Sequence, residues 1–213
     1  FICRGLARAG FASYRFSHRG CDTSEGNFSD TTVTTRLEDL RAAMDALAEE
    51  TGARTFGLVG SSFGGATVLL SADDPRVAAT FTLAAPADFA FFDVLAAHGQ
   101  KTQNGNLVID GREVKPSIID DSAKYDLTAA ASKTKNIFVL HGDRDEVIPV
   151  EHADRIFLAA NEPKRLLKVP DADHPFTEQR HQDIMLAELI AWFRAHLTPK
   201  FQSSSVDEDA SVE

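Results

Sequence analysis

The sequence of 213 residues predicts an α/β fold, in which a mostly parallel sheet is covered by helices on both faces. Short apolar runs alternate along the chain with longer segments whose apolar residues recur every three or four positions. This alternation indicates strands joined by crossover helices, and right-handed crossovers of that kind make the strands parallel. Ligands of such sheets bind at the carboxyl ends of the strands, so a functional site is expected in the residues directly after each strand.

The order of the predicted elements follows from those two patterns. The chain opens on residues typical of the last turns of a helix that ends at Gly10, and we therefore expect the chain to be a fragment. The predicted strands are the apolar runs at residues 11–17, 55–59, 77–85, 137–140 and 165–169. The predicted helices, whose apolar positions share one face, cover residues 33–47, 63–71, 150–160 and roughly 178–197.

Two segments depart from the alternation. Residues 87 to about 132 separate two strands by far more than one crossover needs, and an insertion of this size is more often a cap over a site than an idle loop. Within it, residues 107–114 predict a hairpin that turns at Asp110-Gly111. Residues 198–213 are Ser-rich and acidic, which predicts a disordered tail after a single domain of residues 1–197.

The composition excludes several classes of function. The formal net charge of −10 argues against a nucleic-acid partner and against docking on anionic lipid, because both need a basic surface. No apolar run approaches the roughly 20 residues that span a bilayer, so no membrane partner is expected. The two cysteines, Cys3 and Cys21, offer neither a disulfide framework nor a metal-ligand spacing. The sequence therefore predicts a cytoplasmic protein with unpaired cysteines, no bound metal and no cofactor.

The strongest local signal is the sequence Gly60-Ser61-Ser62-Phe63-Gly64, which lies between a predicted strand and a predicted helix. In that context, a G-x-S-x-G sequence is typical of a nucleophile elbow, where flanking glycines allow the serine to sit on a strained turn. The alternative is a glycine-rich turn with a serine that caps the helix. The strand–turn–helix context favours Ser62 as a nucleophile.

A serine needs a neighbouring base, and a carboxylate is then needed to orient that base. Of the seven histidines, His174 lies in a short loop between the last predicted strand and the last predicted helix, where its side chain can reach the elbow. Its alternative is a surface histidine beside two aspartates. A third loop, after the strand at 137–140, offers Asp143, Asp145 and Glu146, which all qualify by chemistry.

These loops resemble those of the α/β-hydrolase superfamily, especially the small carboxylesterases of the feruloyl or cinnamoyl type and the serine-aminopeptidase-like hydrolases. The resemblance covers residues 1 to about 197 and rests on Thr55-Phe-Gly-Leu-Val-Gly-Ser-Ser-Phe-Gly-Gly65, His141-Gly-x-x-Asp145-x-x-Ile-Pro149, Asp173-His174 and, with Cys21 where a glycine is usual, His18-Arg-Gly-Cys-Asp-Thr-Ser-Glu-Gly26. It implies the order nucleophile, acid, base along the chain, and it assigns the acid to Asp145, with Asp143 as the second choice.

The resemblance also implies an oxyanion hole, of which this chain supplies one donor, the backbone N–H of Phe63. The family takes its second donor from an upstream loop, which follows a strand in the middle of the sheet. Both elements would precede Phe1. The chain is thus expected to be an α/β-hydrolase fold without its first strands, with little activity or stability of its own.

The predicted function is cleavage of carboxylic esters through an acyl-enzyme on Ser62, with a small-molecule ester or acyl compound as substrate. One alternative is a peptidase or amidase of the same fold, and another is a catalytically incompetent fragment or interaction module. Phe89, Phe91 and Phe92 could form an aromatic acyl pocket, but large aromatic residues more often pack the core.

Overall fold

The computed structural model of the protein describes residues 1–109 and 111–197. Asp110, at the predicted hairpin turn, and residues 198–213, the predicted disordered tail, lie outside the described residues. The strands are β1 (Phe56–Ser61), β2 (Val77–Leu83), β3 (Leu107–Ile109), β4 (Arg112–Val114), β5 (Ile137–Gly142) and β6 (Lys164–Val169). The helices are α1 (Ile2–Arg8), α2 (Val33–Thr51), α3 (Phe63–Leu70), α4 (Ala90–His98), α5 (Ser117–Ser122), α6 (Leu127–Ala131), α7 (Glu151–Ala159) and α8 (Gln179–His196).

The centre of the fold is a four-stranded sheet in the order β1-β2-β5-β6, in which all neighbours are parallel. The register sets Leu58 beside Thr80 and Val139 beside both Thr82 and Leu166. Every residue of β5 is buried, as expected for an inner strand with both faces covered. The predicted α/β fold with a mostly parallel sheet is confirmed.

Helices cover both faces of the sheet, and successive side chains of β5 point to opposite faces. Ile137 and Val139 face a core that includes residues of α3 and α7 together with the insertion. Phe138 and Leu140 face a second core, which α1 and α8 close from the other side. The alternation of successive side chains along a strand produces these two cores.

Helix α2 shows how local sequence sets element bounds. Its first turn is closed by a capping box, in which the Thr35 N–H donates to Thr32 Oγ1 at 3.1 Å and the Thr32 N–H donates to Thr35 Oγ1 at 2.9 Å. It ends at Gly52, whose φ of 67° lies in the left-handed region. The helix therefore extends past the predicted residue 47 and stops where Gly52 adopts this left-handed conformation.

The strand predicted at residues 11–17 is wrong. These residues form no regular element, and Ala12, Ser13, Tyr14 and Arg15 are all exposed. β1 pairs only with β2 among the described strands, so residues 11–17 have no described neighbour to accept their backbone hydrogen bonds. The prediction rested on an apolar run alone, but a strand forms only when a neighbouring strand pairs with it.

The insertion at 87–132 folds onto the domain rather than away from it. It contains α4, the antiparallel hairpin of β3 and β4, and the short helices α5 and α6, so the predicted hairpin is confirmed. Phe92, Leu107 and Ile118 are each 1% exposed and share one core with Ala66 and Leu69 of α3. Within residues 1–109 and 111–197, no helix has the length and apolar character that crossing a bilayer requires.

Candidate functional site

Ser62 lies on a strained turn between β1 and α3. Its φ of 54° is in the left-handed region, which non-glycine residues seldom occupy because of steric conflict with Cβ. The turn is fixed to the neighbouring strand, since the Ser62 N–H donates to the Leu83 carbonyl at 2.8 Å. Such strain persists where the surrounding structure over-determines it, and it concentrates at functional positions. The local geometry therefore agrees with the nucleophile elbow predicted from the sequence.

Two glycines let strand and helix approach each other closely around that turn. A Cβ on Gly60 would lie 2.1 Å from the Gly64 carbonyl oxygen, and a Cβ on Gly65 would lie 2.6 Å from the Ala85 Cβ. Gly64 differs, because a Cβ there would have no atom within 4 Å of it apart from its own chain neighbours and its own helix backbone. The requirement for glycine at this turn is thus steric at Gly60 and Gly65.

This difference predicts the outcome of a pair of alanine substitutions. Gly60→Ala is expected to lower the free energy of unfolding by about 3 kcal/mol or more, because a backbone carbonyl cannot move aside as a flexible side chain can. Gly64→Ala should change it by less than about 1 kcal/mol. Urea unfolding followed by circular dichroism measures both. Equal losses in the two variants would contradict the steric explanation.

Phe63 begins α3 and carries the predicted oxyanion donor. Its backbone N–H belongs to the first turn of the helix, where N–H groups have no intrahelical acceptor. The ring packs edge-on against Phe89 at 6.1 Å and Phe92 at 5.9 Å between centroids. Phe89 and Phe92 are buried in the core and Phe91 is exposed, so Phe89 and Phe92 serve the packing that the sequence favoured.

Asp145 lies in the loop after β5, and four donors surround its carboxylate. Oδ1 accepts the backbone N–H groups of Val147 at 2.9 Å and Ile148 at 2.7 Å. Oδ2 lies 2.7 Å from His174 Nδ1 and 3.1 Å from His141 Nε2. The side chain has no exposed surface, although the backbone of the residue is partly open. Burial opposes the charge, but the hydrogen bonds from the two histidines and the two N–H groups hold the pKa of Asp145 well below its usual value.

His141 also belongs to this network, although it is not among the candidate site residues predicted from the sequence. Its Nε2 is 2.9 Å from the Ile148 carbonyl and 3.1 Å from Asp145 Oδ2, and both neighbours are acceptors. Nε2 therefore carries the proton and donates to both. The ring is fully buried, and it ties the two ends of the acid loop together. Its position four residues before Asp145 in the sequence was the available signal.

His174 lies in the loop between β6 and α8, close to the acid loop. Gly142 makes that approach possible, because a Cβ there would lie 2.2 Å from the Ala172 carbonyl oxygen. The same carbonyl accepts the Arg144 N–H at 3.1 Å. With Nδ1 donating to Asp145, the neutral His174 ring keeps the lone pair of Nε2 for a proton from another group. The side chain is 17% exposed, so it remains accessible.

The structure separates the candidate acids that the sequence left open. Asp143 Oδ1 accepts the Asp171 N–H at 2.7 Å, so this carboxylate joins the acid loop to the base loop. Glu146 is exposed. Only Asp145 bonds to His174 among the residues that the structure describes. Within the same part of the chain, the Ser62 hydroxyl forms no hydrogen bond, to His174 or to any other group. The structure thus joins the predicted acid and base and leaves the serine unbonded.

A surface cleft at the carboxyl end of α3 lies away from these loops. It has a volume of about 270 Å³ and is lined by Leu69, Leu70, Tyr125 and neighbouring residues at the carboxyl end of α3. Ser62 is at the opposite end of that helix, and neither Asp145 nor His174 lines the cleft. The candidate active site is therefore defined by the three strand-end loops and not by this cleft.

Comparison with known proteins gives a consistent family. Residues 6–200 match the model of the prolyl oligopeptidase family. The uncharacterized protein YfhR of Escherichia coli O157:H7 is 25% identical over 199 residues, which are 92% of this chain and 64% of that protein. The uncharacterized peptidase YuxL of Bacillus subtilis is 26% identical over 68% of this chain and 22% of its own length. The chain thus spans less than two thirds of the length of these curated relatives.

Solved structures agree on the fold. The esterase domain of a Rhodothermus marinus protein is 26% identical with a TM-score of 0.70, and the match covers 92% of this chain and 79% of that one. Est1E from Butyrivibrio proteoclasticus, solved with ferulic acid bound, is 21% identical with a TM-score of 0.75, covering 91% and 80%. The predicted resemblance is confirmed: the chain belongs to the prolyl oligopeptidase family, within the α/β-hydrolase superfamily.

Proposed function

We propose that this protein is a serine hydrolase that cleaves carboxylic ester bonds through an acyl-enzyme on Ser62. The observation that carries the proposal is the hydrogen bond of 2.7 Å between Asp145 and His174. It joins two loops at the carboxyl ends of the parallel strands, where β1 ends in the strained turn of Ser62. An imidazole oriented by a buried carboxylate is the group that a serine needs to become a nucleophile.

The proposed reaction has two halves. Ser62 Oγ attacks the ester carbonyl while His174 Nε2 takes its proton, and the resulting imidazolium returns that proton to the departing alcohol as the acyl-enzyme forms. Water then attacks the acyl carbonyl, again losing a proton to His174, which passes it to Ser62 Oγ as the acid leaves. Asp145 stays ionised throughout and stabilises the imidazolium, a role that its lowered pKa supports.

The absence of a hydrogen bond between Ser62 and His174 among the described residues is compatible with this reaction. Catalytic hydrogen bonds are often long in the absence of substrate and shorten in the complex. The Phe63 N–H, free of the helix ladder, would donate to the oxyanion that forms at each attack. Removal of one such donor costs about 10²–10³ in turnover, which is the contribution assigned to this N–H group.

A peptidase or amidase of the same mechanism is the second candidate. Its support is the family itself and the peptidase YuxL among the relatives. The ester proposal has the support of a Rhodothermus marinus esterase domain that matches most of this chain. An anilide must be protonated before it can leave, whereas a phenolate leaves without a proton. Cleavage of an anilide therefore requires His174 to act as a general acid, and cleavage of a phenyl ester does not.

Matched substrates separate the two candidates in the full-length protein. For p-nitrophenyl esters and p-nitroanilides of the same acyl or aminoacyl group, the esters should be cleaved while anilide turnover stays at the level of Ser62→Ala. Anilide turnover well above that of Ser62→Ala would establish the peptidase instead. A fluorophosphonate that fails to label Ser62 in the folded protein would contradict both candidates and favour a non-catalytic module.

A further inference from the structure

Arg36 carries a charge that has neither an ion-pair partner nor a side-chain hydrogen bond in the described part of the chain. The residue lies in the first turn of α2, and its guanidinium carbon is 4.5 Å from the centroid of the Phe63 ring. Its Nε is buried and makes no hydrogen bond among the described residues. Nor does its guanidinium form an ion pair with any carboxylate there. Guanidinium groups have five donors, and a buried donor without an acceptor is costly.

Asp39, a carboxylate whose charge acts on Arg36, is already bonded to other groups. Asp39 accepts the backbone N–H of Arg19 at 2.9 Å and its Nε at 2.7 Å, and it lies 3.4 Å from His18 Nδ1. Arg19 also pairs with Glu38. The two acidic residues on this side of α2 are therefore engaged with Arg19 and His18, and they leave the guanidinium of Arg36 without a bonded counter-ion.

A second guanidinium reinforces the positive charge. Arg112, on β4 of the insertion, has its guanidinium carbon 3.4 Å from the centroid of the Phe28 ring, and its Nη2 donates to the Gly20 carbonyl at 3.0 Å. Burial lowers the pKa of Arg36, the charge of Arg112 lowers it further, and Asp39 and Cys21 act in the opposite direction. The two guanidinium groups are thus close enough for their charges to interact, in a chain whose overall charge is −10.

This positive region adjoins the candidate nucleophile. Phe63 directly follows Ser62, and successive Cα atoms are about 3.8 Å apart. That step, the length of the Phe63 side chain and the 4.5 Å between ring and guanidinium place the guanidinium of Arg36 within roughly 12 Å of the Ser62 Cα. A substrate with its ester at Ser62 and an extended chain of a few carbons could reach that far. The Phe63 ring also packs edge-on against Phe89 of the insertion, at 6.1 Å between centroids.

We propose that Arg36, assisted by Arg112, binds a carboxylate at the far end of the substrate, so that the preferred substrates are esters that carry a second, anionic group. The inference rests on the proposed esterase function and names its substrate class. A carboxylate would give the guanidinium of Arg36 the counter-ion it lacks among the described residues, and guanidinium groups pair well with carboxylates. It would also relieve the repulsion between the two arginines.

The test compares half-esters of dicarboxylic acids with neutral esters of the same chain length in the full-length protein. The pairs are the p-nitrophenyl half-esters of adipic, suberic and sebacic acid against p-nitrophenyl hexanoate, octanoate and decanoate. Shorter half-esters are avoided because their own carboxylate attacks the ester. For each pair, the ratio of kcat/KM for the charged to the neutral ester is the readout, and we expect it to peak at one chain length.

In Arg36→Met, that peak ratio should fall by at least about tenfold, the size expected for the loss of a hydrogen bond between charged groups. In Arg112→Met, whose side chain is exposed, a fall of about threefold is expected. Arg41→Met is the matched control, since Arg41 is an exposed arginine on the same helix away from Phe63, and its ratio should equal that of the wild type.

The outcomes separate the two proposals. If Arg36 only holds Phe63 in place, Arg36→Met will lower the charged and neutral reactions equally, and the unchanged ratio will overturn the anion site alone. Failure of the wild type to cleave any of these esters will overturn the esterase function. Should Arg36→Met not fold, an Arg112→Met ratio equal to that of the wild type, with no dependence of the wild-type ratio on salt, overturns the anion site.

Discussion

Replacing Ser62 with alanine is expected to lower kcat by at least about 10⁴-fold and to abolish labelling by a fluorophosphonate. In the proposed mechanism the Ser62 hydroxyl forms the acyl-enzyme, so its loss leaves binding and the oxyanion donor as the remaining sources of catalysis. Ester hydrolysis under saturating substrate gives the loss in kcat, and mass spectrometry of the labelled protein gives the site of reaction.

The neighbouring residue supplies a matched control. Ser61 ends β1 and is exposed, so Ser61→Ala removes a hydroxyl one residue away without touching the turn conformation of Ser62. This variant should keep its labelling and its turnover within about threefold of the wild type. Retained labelling in Ser62→Ala, or its loss in Ser61→Ala, would show that the nucleophile had been assigned to the wrong serine.

The positions of the candidate groups could be predicted because each depends on local sequence. Ser62 is set by glycines that flank it in the chain, and the acid and base loops directly follow strands β5 and β6. The parallel sheet then brings these strand ends to one edge, which is a property of the fold class. Sequence pattern and topology were therefore sufficient to locate the candidate site.

The residues alone left Asp143, Asp145 and Glu146 open, and the family resemblance favoured Asp145. The folded structure agrees with that choice, because Asp145 bonds to His174 while Asp143 accepts the Asp171 N–H. The acceptors of His141 and the neighbours of Arg36 are likewise fixed by tertiary packing. The strand wrongly predicted at 11–17 has the same origin, because ladder partners are distant in sequence.

Replacing Asp145 with asparagine is expected to lower kcat by about 10⁴-fold while leaving the fold in place. The amide can still accept the Val147 and Ile148 N–H groups through its oxygen, but its nitrogen then faces His174 Nδ1. Two donors cannot share that contact, so the imidazole turns or changes tautomer and loses its alignment as a base. Asp143→Asn is the matched control, and it should lose stability rather than the bulk of its turnover.

The same substitution should also change how stability depends on pH. Burial raises the pKa of the Asp145 carboxyl, but the bonds from His141, His174 and two backbone N–H groups lower it more, so the folded pKa lies below the unfolded one. A group of this kind contributes stability above its unfolded pKa, about 3.9, and that contribution is lost as the pH falls toward the folded value. The free energies of unfolding of the wild type and Asp145→Asn, measured in urea, should therefore differ most near neutrality and converge below about pH 4. A difference that stays constant down to pH 3 or so would mean that the carboxylate is not held ionised by these bonds.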